Sequence, residues 1–327
     1  MYIVTGGAGF IGSNLVAALA ARGEEVVVCD WMGQDERWRN LRKHEIAGLV
    51  EPEKLISFLD EHKKAVKAVL HMGAVSATIE RDIDLLAERN IRSTLALLDW
   101  CTREGKPLIY ASSAATYGDG KQGFVDDESP AALGALAPLN AYGWSKHVVD
   151  RRVARLKAAR AKLPPQLVGL KFFNVYGPNE YHKGTMRSVV AQNYPRVAAG
   201  EKIRLFRSRN AAYADGGQLR DFVAVRDCID VMLWLLEHPD VSGLFNLGSG
   251  KARSWLDLAR ALGAAAGKPE AIEFIDMPAE LAANYQYFTE ARMEKLRAAG
   301  YDQPMTALED GIGDYVRNFL MQGDPYL

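Results

Sequence analysis

Tyr2-Ile3-Val4-Thr5-Gly6-Gly7-Ala8-Gly9-Phe10-Ile11-Gly12-Ser13-Asn14 is the stretch whose reading decides the fold of this chain. Tyr2-Ile3-Val4 is a short apolar run of the kind that forms a buried strand. Ser13 to Leu19 opens an amphipathic helical pattern. Between them Gly6, Gly9 and Gly12 are spaced G-x-x-G-x-x-G. Each glycine has a physical reason. Gly6 permits a tight strand-to-helix turn, Gly9 lets backbone approach a pyrophosphate, and Gly12 lets the helix pack on the strand. A pyrophosphate placed there meets the free N–H groups and positive dipole end of the helix. The next apolar run, Glu25-Val26-Val27-Val28-Cys29-Asp30, ends in a carboxylate at the spacing that suits an adenosine ribose.

Working outward, residues 1–118 alternate strand and helix. Apolar runs end at Val4, Val28, Leu70 and Ile109, and helical patterns occupy roughly 11–22, 52–64 and 80–104. Strands separated by helices pair in parallel through right-handed crossovers. The fold class is therefore α/β, a doubly wound parallel Rossmann sheet. A smaller C-terminal α/β lobe follows. The expected division is residues 1–174 with about 220–247 for the dinucleotide, and 175–219 with 248–327 for the substrate. On this reading Arg220 to Val225 returns to the main sheet.

The chain has 327 residues, 48% hydrophobic and 25% charged, with net charge −1. That balance gives no electrostatic basis for binding nucleic acid or an acidic membrane. No apolar run approaches the roughly 20 residues that span a bilayer. Cys29, Cys101 and Cys228 form no C-x-x-C and read as reduced core thiols. With a cofactor strand starting at residue 2, no secretion leader is expected, and the location is cytoplasmic.

Between Asp30 and the next helix, Arg37, Arg39, Arg42 and Lys43 crowd one loop. Guanidinium geometry suits the 2′-phosphate of NADP, and a solvated basic loop accounts for the loop equally well. The third strand, Ala68 to His71, runs into Met72-Gly73-Ala74-Val75-Ser76, a turn that lets a dinucleotide lie across the strand end. His71 is read as packed rather than catalytic. The fourth strand ends in Ser112-Ser113, at the carboxyl edge where such sheets gather their chemistry. Tyr142 and Lys146 follow in Asn140-Ala141-Tyr142-Gly143-Trp144-Ser145-Lys146. Four residues apart, they share a helix face. The ammonium is expected to lower the tyrosine pKa and make Tyr142 a working acid/base, with Ser113 sharing the substrate oxygen. Further on, Arg220 beside Asp221 suits a bidentate grip on a diphosphate or an ion pair within its strand.

The glycine turn, Asp30, Ser113, Tyr142-x-x-x-Lys146 and Asn174-Val175-Tyr176-Gly177-Pro178 occur in one order. With them the chain resembles the extended short-chain dehydrogenase/reductase superfamily, mostly nucleotide-sugar epimerases and dehydratases. Across its length it is similar to the branch that inverts C-6″ of ADP-heptoses, precursors of lipopolysaccharide core heptose. The narrow marker is His182-Lys183-Gly184; Phe245-Asn246-Leu247-Gly248 is shared widely.

The resemblance implies NADP, with NAD as the alternative, and an ADP-sugar substrate. Phe10, Ile11, Asp30, Trp31, Arg37, Met72, Gly73, Ala74, Val75, Ser76, Asn90, Lys146 and Lys183 would line the cofactor. Tyr142 and Lys183 would be the acid/base pair. Ser113, Asn174, Thr185, Gln192, Phe206, Arg207, Ser208, Arg209, Arg220 and Tyr285 would hold the sugar nucleotide. No metal is implied, and a homo-oligomer is, a pentamer among its forms. Three departures stand out. The branch has a second cofactor lysine near Pro52, where this chain reads Glu51-Pro52-Glu53. The position of Gln192 is often His, and the loop from Phe206 to Arg220 is longer. A 4-epimerase and a 4,6-dehydratase are the alternatives. Ser112-Ser113-Ala114-Ala115 lacks the acidic pair of a dehydratase, and a non-catalytic dinucleotide sensor would have no use for Ser113, Tyr142 and Lys146.

Overall fold

β1 (Tyr2–Thr5) runs inside a seven-stranded sheet, with Ile3 and Val4 fully excluded from water on its opposite faces. Its neighbours are β2 (Val26–Cys29) and β4 (Ala68–His71), both parallel to it. β3 (Gly48–Val50) extends one edge; β5 (Leu108–Ser113), β6 (Leu167–Phe172) and β10 (Gly243–Leu247) extend the other. The order is β10-β6-β5-β4-β1-β2-β3, with every pairing parallel. The computed structural model describes residues 1–268, 271–278 and 285–327.

Successive residues of these strands enter different cores. Val4, Val28, Leu70, Ile109 and Val168 face one cluster; Ile3, Val27, Val69, Leu108 and Leu167 face the other. Apolar side chains on both faces are the mark of a parallel sheet covered by helices on both sides. The helices Phe10–Ala21 and Val225–Glu237 pack with the first cluster; Leu55–His62 and Ser93–Glu104 pack with the second.

The second half builds a separate core. β7 (Asn174–Tyr176), β9 (Leu219–Ala224) and β11 (Ala252–Ser254) form a three-stranded sheet, and β8 (Ile203–Phe206) pairs with β12 (Ile272–Ile275). Tyr176, Ile203, Leu205, Phe222, Leu258 and Ile312 share that core. β9 therefore does not rejoin the main sheet. It pairs in parallel with β7 and antiparallel with β11. Phe222 and Ala224 lie in the second-half core, whereas Val223 lies in the main one, so alternate residues of β9 serve both. β3, β7 and β11 leave no pattern in the sequence. Each is three residues long, too short for a periodicity to register.

The last residues return to the first domain. Asp324 pairs with Arg42 at 2.7 Å and Lys43 at 3.0 Å. The Tyr326 ring lies under the guanidinium groups of Arg39 and Arg42. Tyr181 donates to Pro325 O at 2.8 Å, and Leu327 N donates to Asn179 Oδ1 at 3.0 Å.

Close approach at the glycine turn is stringent. A Cβ on Gly12 would lie 2.1 Å from Gly6 O, whereas one on Gly105, a left-handed helix terminus, would meet nothing within 4 Å. Gly105→Ala carries only the left-handed backbone cost, roughly 1–2 kcal/mol. Gly12→Ala must push backbone apart and is expected to lower the thermal midpoint further, as scanning calorimetry of the two variants reads directly.

Candidate active site

The parallel sheet brings the ends of β1, β2, β4, β5 and β6 to one edge, where α/β sheets bind ligands. At the end of β1 the chain turns through Gly6 at φ +63°, and Gly73 of the β4 loop packs on it. A Cβ on Gly6 would lie 2.6 Å from Gly73 Cα. The helix Phe10–Ala21 starts at Gly9 with no side-chain cap and no acidic residue in its first turn. An uncapped helix start flanked by glycine is an anion site for a diphosphate. Asp30 reaches back and accepts the Ala8 N–H at 3.0 Å. Burial pushes its carboxyl pKa up, while that N–H and Arg37 pull it down. These residues fit a dinucleotide.

Of the four loop cations only Arg37 faces Asp30, at 3.7 Å. It also grips Asp35, with contacts of 2.7 to 3.1 Å, and donates to Trp31 O at 3.2 Å. Arg39 pairs with Glu36, and Arg42 and Lys43 with Asp324. The Trp31 indole N–H donates to Glu53.

In the β4 loop, Met72 N donates to Thr5 O at 3.1 Å and Gly73 N to Thr5 Oγ1 at 3.0 Å. Asn90 is wholly buried and uses its entire amide. Its Oδ1 accepts from Val75 N at 2.8 Å; its Nδ2 donates to Val75 O at 3.0 Å and Ser145 Oγ at 2.9 Å. Ser145 in turn donates to Tyr142 O at 2.7 Å. Asn90 thus ties the Met72–Ser76 turn to the tyrosine helix. It sits in a π turn, Ala87–Arg92, of the sort that recurs at functional sites. His71 is packed as expected. It bonds Thr5 Oγ1 at 2.6 Å and Thr94 Oγ1 at 2.9 Å, and burial drives its pKa to about 3, so it stays neutral.

Tyr142 lies in the first turn of the helix Ala141–Ala158, capped by Asn140 onto Gly143 N at 2.8 Å. A Cβ on Gly143 would lie 2.7 Å from Ala115 O, so this turn packs directly on the segment after Ser113. Burial pushes the Tyr142 phenol up, and hydrogen bonding with Ser113 draws it back down. The expected lowering by Lys146 is not what the geometry provides. Lys146 donates to Ala111 O at 2.8 Å, and its effect is on itself: burial lowers its pKa to about 8 against the pull of Asp150. Asp150 accepts from Ser112 Oγ at 2.7 Å and Tyr110 at 3.2 Å, and lies 3.5 Å from the buried Lys171 ammonium.

Lys183 sits in the short helix Tyr181–Met186, its Nζ 5.4 Å from the centre of the Phe10 ring. Burial lowers its pKa, and Glu180 opposes that. Glu180 is itself buried. It accepts from Ser188 Oγ at 2.6 Å and also from Ser188 N, which anchors both ends of the Lys183 segment. Gln192 donates to Thr185 O at 3.1 Å and Arg187 O at 2.7 Å, so its amide braces the segment holding Thr185. Asn174 is exposed at the start of β7.

The remaining candidates gather around Arg220. Its guanidinium lies 4.8 Å from the Tyr285 ring centre and 5.9 Å from that of Trp255, and it donates to Leu219 O and Gln286 O. Trp255 Nε1 donates to Tyr285 at 2.9 Å. Asp221 is not its ion-pair partner. That carboxylate turns away, accepts from Ser249 N, Gly250 N and Ala291 N, and is pushed up to about 6 by burial. Phe206 O accepts from Gly216 N, and Arg207 pairs with Asp215 and Asp276. Ser208 N donates to Asp215 at 2.7 Å. Arg209 binds Met277 O, and its N–H reaches the Tyr287 hydroxyl, next to Tyr285. A cavity of about 630 Å³ lies behind the helix Phe10–Ala21, and none of these candidates lines it.

Sequence reasoning missed Glu180, Asp150 and Ser145. Glu180 stands three residues before Lys183, and Asp150 one helical turn after Lys146, so spacing alone could have flagged both.

The fold, with its glycine turn at the carboxyl edge of the sheet, is that of a nicotinamide-dinucleotide-dependent enzyme acting on a sugar nucleotide. The chain belongs to the NAD dependent epimerase/dehydratase family, whose model matches residues 2–248. It is 49% identical over 330 aligned residues to an ADP-L-glycero-D-manno-heptose-6-epimerase of Nitratidesulfovibrio vulgaris strain DP4, each chain covered completely. It is 44% identical to the enzyme of that name from Fusobacterium nucleatum, again over the whole of both. Among solved structures, Helicobacter pylori ADP-L-glycero-D-manno-heptose-6-epimerase superposes with TM-score 0.80 at 27% identity, covering 97% of this chain and 95% of that one. Thermus thermophilus UDP-glucose 4-epimerase, in complex with NAD, superposes with TM-score 0.72 at 26% identity, covering 95% and 96%. Among the described residues no helix is long and apolar enough to cross a membrane, and no acidic or histidine cluster could hold a metal.

The Lys146 environment carries a signed consequence. Its pKa falls from 10.5 unfolded to about 8 folded, so between those values the unfolded chain holds more protons. Its contribution to stability therefore rises with pH across that window and is lost as pH falls to 8. Chemical denaturation at pH 8 and pH 10 is expected to show the native protein gaining on Lys146→Met, by on the order of 3 kcal/mol at most.

Proposed function

We propose that this protein inverts C-6″ of ADP-D-glycero-D-manno-heptose to give ADP-L-glycero-D-manno-heptose, a precursor of lipopolysaccharide core heptose, using bound NADP. The observation that carries the reading is Lys183. It is a second basic group beside the start of the cofactor helix, with burial lowering its pKa, in a chain that already has Ser113, Tyr142 and Lys146. Full-length relatives at 44–49% identity support the substrate.

Tyr142 takes the proton of the 6″-hydroxyl, with Ser113 holding the same oxygen. A nicotinamide held at the glycine turn would supply hydride acceptance and return at C-6″, so no net oxidation results. Inversion requires the 6″-ketone to present its other face, which moves its oxygen away from Tyr142. A second proton donor is then needed, and Lys183 supplies it. Arg220, a buried guanidinium with no carboxylate partner among the described residues, grips the diphosphate. Tyr285 and the Phe206–Arg209 turn complete the nucleotide side.

Proton NMR of the purified protein with ADP-D-glycero-D-manno-heptose and NADP is expected to show the L-glycero epimer forming. Tyr142→Phe and Lys183→Met should each lose roughly a hundredfold or more in rate while retaining cofactor. Unchanged epimerisation in the Lys183 variant overturns the two-base assignment, and absence of conversion by the native protein sends the search to UDP-, GDP- and dTDP-sugars. A homo-oligomer in the cytoplasm belongs to the same proposal; light scattering after gel filtration and fractionation of cells read these two properties.

A further inference from the structure

Trp31 follows the ribose-side carboxylate Asp30, and two guanidinium groups bracket it. Arg37 donates to its carbonyl oxygen at 3.2 Å, and Arg89 lies over its indole, 4.1 Å from the ring centre. The two are not equivalent. Arg37 is committed to Asp35 through contacts of 2.7 to 3.1 Å and is balanced again by Asp30 at 3.7 Å. Arg89 is exposed, and its side chain makes no ion pair or hydrogen bond among the described residues. Its backbone is nevertheless well held. It sits in the π turn Ala87–Arg92, adjoining the fully buried Asn90 with its bonds to Val75 and Ser145.

The local charge count makes the difference matter. Asp30, Asp35 and Glu53 are negative around Trp31, and Glu53 accepts from its indole N–H at 2.9 Å. Glu51-Pro52-Glu53 supplies no cation to this side of Trp31. A phosphate arriving at this spot finds Arg37 already neutralised by two carboxylates.

We propose that Arg89, held over the Trp31 ring, is the residue that selects the 2′-phosphorylated dinucleotide, with Arg37 ordering the loop beside it. The inference rests on the NADP reading above. Its chemistry is that of a planar guanidinium fork matched to phosphate and restrained on an aromatic face, which reduces the entropy lost on binding. Arg37 acts differently. Its bonds to Asp35 and Trp31 O fix the turn that presents Trp31 to Arg89.

The test is isothermal titration of NADP and NAD against the full-length protein, Arg89→Ala and Arg37→Ala, each freed of endogenous dinucleotide with charcoal. The native protein is expected to bind NADP more tightly than NAD. Arg89→Ala should lose roughly tenfold or more of that preference through weaker NADP binding alone, its NAD affinity unchanged. Arg37→Ala should weaken both dinucleotides together. A preference that survives Arg89→Ala, or that disappears in Arg37→Ala alone, overturns the assignment while leaving the NADP reading in place. A native protein that prefers NAD overturns both.

Discussion

The absence of side chains at Gly6, Gly12 and Gly73 is the constraint on which the rest of the structure depends. There the backbones of a strand, a helix and a neighbouring loop come to distances that a single methyl group would forbid. Three consequences follow. The helix Phe10–Ala21 can start beside the sheet, its first-turn N–H groups can meet a diphosphate, and the β4 loop can close over both. Asp30 then holds the turn from the other side through Ala8 N–H.

Around that turn the protein places charge where water is scarce. Lys146, Asp150, Lys171, Glu180 and Arg220 are all buried. Each is held by hydrogen bonds from backbone or hydroxyl groups, or by a neighbour of opposite sign, as the cost of desolvation requires. Burial lowers the ammonium pKa of Lys146 and Lys171 in this group, and of the half-buried Lys183, so that Lys146 falls to about 8, into the range in which amines exchange protons in catalysis. In each a carboxylate, Asp150 or Glu180, acts against it.

Much of this was legible in the chain itself. The glycine spacing, the apolar runs and Tyr142-x-x-x-Lys146 specify local geometry, so the central sheet and the tyrosine helix could be read directly. Other features depend on partners far away in sequence. β9 looks like a core strand, but Phe222 and Val223 choose their cores by what Tyr176 and the helix Val225–Glu237 provide. The direction in which Lys146 acts depends on Ala111 O, thirty-five residues earlier, which no local pattern reveals. Arg89, one exposed arginine on a helix, carries no signal in the sequence until its place over the Trp31 ring is seen.

Asp324 and Tyr326 clasp a loop that lies beside the second strand of the fold. In time as well as in space this joins opposite ends of the molecule. A ribosome releases Arg42 and Lys43 early, yet the carboxylate that neutralises them emerges only after the second core of the chain has been made. The nascent first domain therefore carries an unbalanced basic loop throughout synthesis.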